Sequence, residues 1–113
     1  MKILICKEAH KRINDYYRNV ALRYPNTNSK DEIRNNIKKV HNEINKIGTN
    51  ELVITNTILS DWEGYNVCRS KEIPWYFVYL IDKDIIRIYD AEHANNMSDN
   101  TYVSKRNLPK IKK

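Results

Sequence analysis

A chain of 113 residues has room for one domain with a single core, which excludes a multidomain enzyme and a nucleotide-binding α/β domain of the usual size. With 41% hydrophobic and 30% charged residues, its composition is that of a soluble globular protein rather than a disordered or fibrous one. Twenty Lys and Arg against fourteen Asp and Glu leave a net charge of +6, which biases the chain toward anionic partners such as nucleic acid, acidic lipid or acidic protein.

The stretch Met1 to His10 reaches Lys7 and Glu8 after a short apolar run and lacks the pattern of a secretory signal. The longest apolar stretch, Trp75 to Ile81, is far shorter than the roughly 20 residues of a membrane-spanning helix. Cys6 and Cys68 are isolated thiols without a Cys-x-x-Cys pair, which argues against a disulfide framework and a zinc site. A cytoplasmic location is the expectation, with no membrane partner, cofactor or metal.

In chain order, Ile3-Leu4-Ile5 reads as an opening strand. Ile13, Tyr16, Tyr17, Val20 and Tyr24 recur at three- and four-residue spacing and predict an amphipathic helix over about Lys7 to Tyr24. Pro25-Asn26-Thr27-Asn28 breaks it, because proline disfavours a helical residue before it and asparagine favours turns. A second helix over residues 29–48 starts at the capping box Ser29-Lys30-Asp31-Glu32 and ends at Gly48. Its stripe is Ile33, Ile37, Val40, Ile44 and Ile47; His41 beside it reads as a packing or surface histidine.

Beyond Gly48 the period becomes extended. Leu52-Val53-Ile54, with Ile58 and Leu59, has strand composition, and Asp61-Trp62-Glu63-Gly64 reads as a turn or edge. Tyr65 to Lys71, Ile73 to Ile81 and Ile85 to Ala91 are three further strands, the last two forming a hairpin across Asp82-Lys83-Asp84. The fold class is therefore α+β, in the order β-α-α-β-β-β with one further strand possible. A helical hairpin covers one face of an antiparallel sheet and leaves the other open. A single domain of residues 1–97 precedes a polar, basic tail, residues 98–113, carrying Lys105, Arg106, Lys110, Lys112 and Lys113.

Strand parity sorts the candidates for chemistry. With Ile86 and Ile88 toward the helices, Arg87, Tyr89, Ala91 and His93 face the open side. Arg69 and Lys71 share parity, and a pairing that sets them beside Arg87 would make a basic concave surface. Parity leaves open whether Trp75 or Tyr76 joins them. Arginine and lysine hold phosphates, aromatic rings stack on unpaired bases, and histidine moves a proton near neutral pH. These are the parts of a ribonuclease that uses the RNA's own 2′-hydroxyl as nucleophile. The plainer alternative makes Arg87 and His93 solvated strand residues and packs Trp75 and the tyrosines in or around the core.

The order of elements, together with Gly64-Tyr65-Asn66-Val67-Cys68-Arg69, Trp75 to Ile81 and Ile85 to His93, resembles the RelE/ParE superfamily of toxins from bacterial type II toxin-antitoxin systems. The resemblance covers most of the chain through degenerate motifs. It implies a toxin neutralised by an antitoxin, here expected to be acidic. RelE-like members are metal-free endoribonucleases that cut messenger RNA, commonly on the ribosome; ParE-like members act on DNA gyrase without a nuclease set. Carried over, His93 is general acid or base and Arg69 and Lys71 contact phosphate, with Arg87 joining them by parity. Trp75, Tyr76 and Tyr89 are the aromatic candidates for substrate contact. The chain departs from the RNase pattern at Tyr76 and Ala94, where many members carry arginine, and Glu72 becomes a candidate base only if a bulge before Pro74 re-aims it. The alternatives are a non-enzymatic inhibitor of gyrase or another host protein, and a phage-encoded basic binding module.

Overall fold

The computed structural model describes residues 2–23, 30–47, 52–55, 62 and 64–94. The order is β1 (Lys2–Ile5), α1 (Lys7–Arg23), α2 (Lys30–Ile44), β2 (Leu52–Thr55), β3 (Asn66–Ser70), β4 (Trp75–Asp82) and β5 (Ile85–His93). All predicted elements are present, the optional fourth late strand included. Ser29, Gly48, Ile58, Leu59 and the tail lie outside the described residues.

The helices form for the expected reason. On α1, Ala9 and Ile13 are fully buried and Tyr16 and Tyr17 pack against the same cluster; α2 contributes Val40 and Ile44, and Ile47 follows in the turn after it. That turn tightens through Lys46 N–H to Glu43 O (3.0 Å) and Ile47 N–H to Ile44 O (3.1 Å), satisfying carbonyls left over at the helix end. The layer rests on Cys68, Trp75, Phe77, Tyr79, Ile86, Ile88 and Ala91 of the sheet. Each such large apolar side chain contributes about 1.5–3 kcal/mol on burial.

The five-stranded sheet runs β1-β5-β4-β3-β2. It is mixed rather than wholly antiparallel, because β1 pairs parallel with β5, placing Ile3 beside Ile86 and Ile5 beside Ile88. The helical hairpin brings the chain back to the same end of the sheet, so the first strand and the last run in one direction.

The β4–β5 hairpin turns on Lys83 and Asp84, with Lys83 in the left-handed region at φ 56°. Farther along, its ladder shifts. Val78 pairs with Asp90 but Tyr79 pairs with Ile88, leaving Tyr89 as the extra residue of a bulge. An extra residue reverses parity. Ile86 and Ile88 face the helices as expected, but beyond the bulge it is Ala91 and His93 that face them. Arg87, Tyr89, Asp90 and Glu92 lie on the second face, where Leu80 is opposite Arg87, Tyr89 meets Tyr65, Asp90 bonds Trp62 and Tyr76 is opposite Glu92.

That second face is partly covered. Trp62 and Tyr65, from the segment before β3, are buried against Val67 and Val78, with Tyr76, Leu80 and Tyr89 around them. Their turn closes through Tyr65 N–H to Trp62 O (3.0 Å), and Gly64 takes φ 89°, accessible without a Cβ penalty. The indole Nε1–H donates to Asp90 Oδ2 at 2.8 Å. Asp90 is fully buried; its Oδ1 accepts the Ala91 N–H (2.9 Å), and Arg12 Nε reaches it from α1 at 4.0 Å. One carboxylate thus joins the bulge, the first helix and the segment that covers the second face.

A second buried carboxylate fixes the other end of β3. Ser70 Oγ donates to Glu43 Oε1 and accepts the N–H groups of Glu72 (3.1 Å) and Ile73 (3.2 Å). Lys46 Nζ lies 2.6 Å from Glu43 Oε2. Burial pushes the Glu43 carboxyl up, but the hydrogen bonds from Lys46 and Ser70 and the Lys46 charge outweigh it and hold it below its ordinary value. No described helix is long and apolar enough to cross a membrane.

Candidate nucleic-acid interface

The structure divides six of the seven predicted site residues between the two faces of the sheet. Arg69, Tyr76, Arg87 and Tyr89 lie on the second face; Trp75 and His93 lie under α1; Lys71 follows the end of β3 in the exposed bend leading to Pro74.

On the second face, β3 aims Arg69 outward because its neighbours Cys68 and Ser70 are buried against the helices. Arg69 pairs with Tyr76, and its guanidinium carbon stands 5.4 Å from the centre of the Tyr76 ring, a cation–π distance. Tyr76 pairs in turn with Glu92. A row Arg69, Tyr76, Glu92 therefore crosses β3, β4 and β5 on one face, with neighbouring strands about 4.8 Å apart. Arg69 is exposed, Tyr76 half-buried and Glu92 nearly buried. The Trp62 ring lies 6.5 Å from Tyr76 and borders the row.

Arg87 and Tyr89, both half-buried, continue this face toward the hairpin. Arg87 is opposite Leu80, and Tyr89 meets Tyr65 edge-on at 5.4 Å. The expected neighbourhood of Arg69 and Arg87 does not form. Strand β4 lies between their strands, and their partners Tyr76 and Leu80 stand about 13 Å apart along it. The cations are spread over the face instead of gathered in one cup. Burial pushes the Cys6 thiol up, with the Arg87 charge opposing; burial also raises the Tyr65 phenol, helped by Tyr89 and Cys6.

His93 is the principal correction. Parity placed it beside Arg87, but the bulge turns it beneath α1, where its ring stacks on Tyr16 at 4.2 Å and 8°. Trp75 stands edge-on to it at 5.5 Å, and the residue is 8% exposed. Burial lowers its pKa from the ordinary 6.5, with Glu92 partly opposing. Trp75 is fully buried in the same cluster and donates Nε1–H to the Tyr17 hydroxyl at 3.0 Å. The plainer expectation, in which Trp75 packs in the core, fits this arrangement.

Glu72 is exposed in the bend after β3, and the register shift falls at Val78 and Tyr79 rather than before Pro74. Glu92 is the residue that sequence reasoning passed over. Its signal was present: unbroken alternation from Ile86 and Ile88 would aim both Asp90 and Glu92 into the helix-covered core, an expensive placement for two carboxylates. Among the described residues, no group of three or more His, Cys, Asp or Glu side chains is placed to hold a metal ion. Comparison of the chain with protein-family models, curated proteins and solved structures returns no match.

Proposed function

We propose that this chain is a toxin of the RelE/ParE kind that acts on RNA in the cytoplasm and is neutralised by an acidic antitoxin. The observation that carries the RNA assignment is the exposed Arg69 guanidinium over the Tyr76 ring, on a sheet face that also presents Arg87 and Tyr89. A guanidinium can bind a phosphate while the ring beside it stacks on a base, so one strand pair supplies both contacts that single-stranded RNA requires. The net charge of +6 adds sequence-independent attraction. The strand, helical hairpin and terminal sheet support the toxin reading. So does the packing of the two helices on one sheet face, with Arg69, Tyr76, Arg87 and Tyr89 on the other.

His93 favours a second reading. A histidine stacked beneath α1, across the sheet from Arg69 and Arg87, is poorly placed to share a phosphate with them. That suits a non-enzymatic inhibitor of gyrase or another host protein. Inducible expression in a bacterial host separates the readings. Growth arrest with cleaved messenger RNA, lost together in the Arg69→Ala, Arg87→Ala double variant, is the expected outcome. Arrest with intact RNA and failing gyrase supercoiling selects the second reading. Unimpaired growth overturns the toxin assignment and leaves a basic binding module.

A further inference from the structure

We propose that the outward face of the helical hairpin binds the phosphate backbone of base-paired RNA. The surface stands on its own charge; the choice of RNA over DNA rests on the RNA-directed reading. Charge is divided unevenly over the described residues. Between Asn66 and Ala94 three exposed cations, Arg69, Lys71 and Lys83, meet three exposed acids, Glu72, Asp82 and Asp84. On α1 and α2 eight exposed cations meet two exposed acids, Asp31 and Glu32, both in the first turn of α2. The surplus of exposed positive charge among the described residues therefore lies chiefly on the helices, not on the sheet.

Helical spacing collects these cations. On α1 the residues that pack on the sheet are Ala9, Ile13, Tyr16 and Tyr17, and Lys7, Lys11 and Arg18, at steps of four and seven, run along the opposite side. On α2 Ile37, Val40 and Ile44 pack inward, whereas Arg34 and Lys38, one turn apart, are exposed. The His10 and His41 rings meet at 5.2 Å and mark the seam between the helices. Lys7 stands three residues before His10 and Lys38 three before His41, so a row of cations borders the seam on each side. Arg12, outside these rows, is the cation that neutralises Glu8. From Lys7 to Arg18 the row is about 16 Å long, a length over which a nucleic-acid duplex carries on the order of ten phosphate charges. Both described tyrosines of α1 pack inward, Tyr16 onto His93 and Tyr17 onto Trp75. The outer face thus offers cations without an exposed tyrosine, which suits a paired backbone, because unpaired bases need a ring to stack on. Arg69 and Tyr76 lie on the far side of the sheet, so the two surfaces can be tested separately.

The test is fluorescence anisotropy of a labelled RNA duplex with purified full-length protein over a range of salt concentrations, with a DNA duplex of the same sequence and a polyglutamate peptide as competitors. Each phosphate-bound cation contributes about 0.9 to the slope of log affinity against log salt, so Arg34→Gln with Lys38→Gln is expected to flatten the slope by about 2. Lys7→Gln with Lys11→Gln, on the other helix, carries the same expectation. Lys2→Gln with Lys83→Gln removes equal charge from the hairpin end of the sheet, where Lys2 N–H meets Asp84 O, and is expected to leave the slope unchanged. All six positions are exposed, and thermal melting checks that each variant folds. Equal flattening in all three pairs overturns the proposal, because net charge rather than this face would then hold the duplex. Tighter binding of DNA or polyglutamate than of RNA overturns the choice of partner. Duplex binding retained by the Arg69→Ala, Arg87→Ala variant supports a separate surface, and its loss overturns one. Duplex binding without messenger RNA cleavage supports the surface and fails only the RNA-cleaving reading; cleavage without duplex binding fails only the surface.

Discussion

Replacing His93 separates a structural ring from a chemical one. Its imidazole stacks on Tyr16 at 4.2 Å and meets Trp75 edge-on at 5.5 Å. Aromatic pairs of these two geometries contribute about 0.5–1.5 kcal/mol each beyond area burial, so His93→Ala is expected to lose roughly 1–3 kcal/mol. For a domain of this size that lowers the melting temperature by roughly 4–20 °C. His93→Phe keeps a ring and is expected to recover most of the loss. The pH dependence carries a sign. Because the folded-state pKa of His93 is depressed, the unfolded chain binds the proton more readily. Its stabilising contribution is therefore full above the ordinary value of 6.5 and is lost as pH falls below it. His41 is depressed in the same direction, by burial and by the charge of His10, so His93→Phe is expected to remove only part of the acid sensitivity. Urea unfolding at pH 7.5 and pH 5.5 reads both effects. A His93→Ala protein within about 0.5 kcal/mol of wild type would refute the packing argument. A stable His93→Phe protein that has lost all toxicity would return the imidazole to the chemistry.

Trp62→Phe keeps a ring but removes the indole N–H from Asp90, a hydrogen bond to a buried charge. The expected cost is about 1.5–3 kcal/mol, and a double-mutant cycle with Asp90→Asn should recover the coupling between the two; additive losses would show that they do not act as a pair. Cys68 is 2% exposed and burial pushes its thiol up to about 12, whereas Cys6 is only half-buried. Iodoacetamide at pH 8 should therefore modify Cys6 first and reach Cys68 on unfolding, with peptide mass spectrometry reading the order; equal rates on the folded protein would contradict the burial.

Local pattern revealed most of the elements. The spacing that ends in Val40, Ile44 and Ile47 marks a buried helix face, and these three residues are buried. The hairpin around Lys83 and Asp84 follows from a short polar interruption between apolar runs. Two decisive features depend on longer-range arrangements. Parity holds only while each residue has one partner, and the single unpaired Tyr89 reverses every later side chain of its strand, including His93 and Glu92. The apolar phase does change between Ile88 and Ala91, but one alanine is weak evidence against continued alternation. The covering of the second face was hidden for another reason: Trp62 sits in a short polar segment that reads as a turn, yet its ring is buried against the sheet and bonds Asp90.

The parallel pairing of β1 with β5 ties the first described strand to the last, with Ile3 beside Ile86. During synthesis the helical hairpin can form early, because its contacts are local. Among the described strands β1 borders β5 alone, so it must wait until β5 leaves the ribosome. The sheet is then completed in a late step around β5, which borders both β1 and β4. A nascent chain stopped before Ile85 holds neither the row that ends at Glu92 nor the seat of Trp62 on Asp90. The order of manufacture therefore keeps the candidate surface from existing until nearly every described residue has been made.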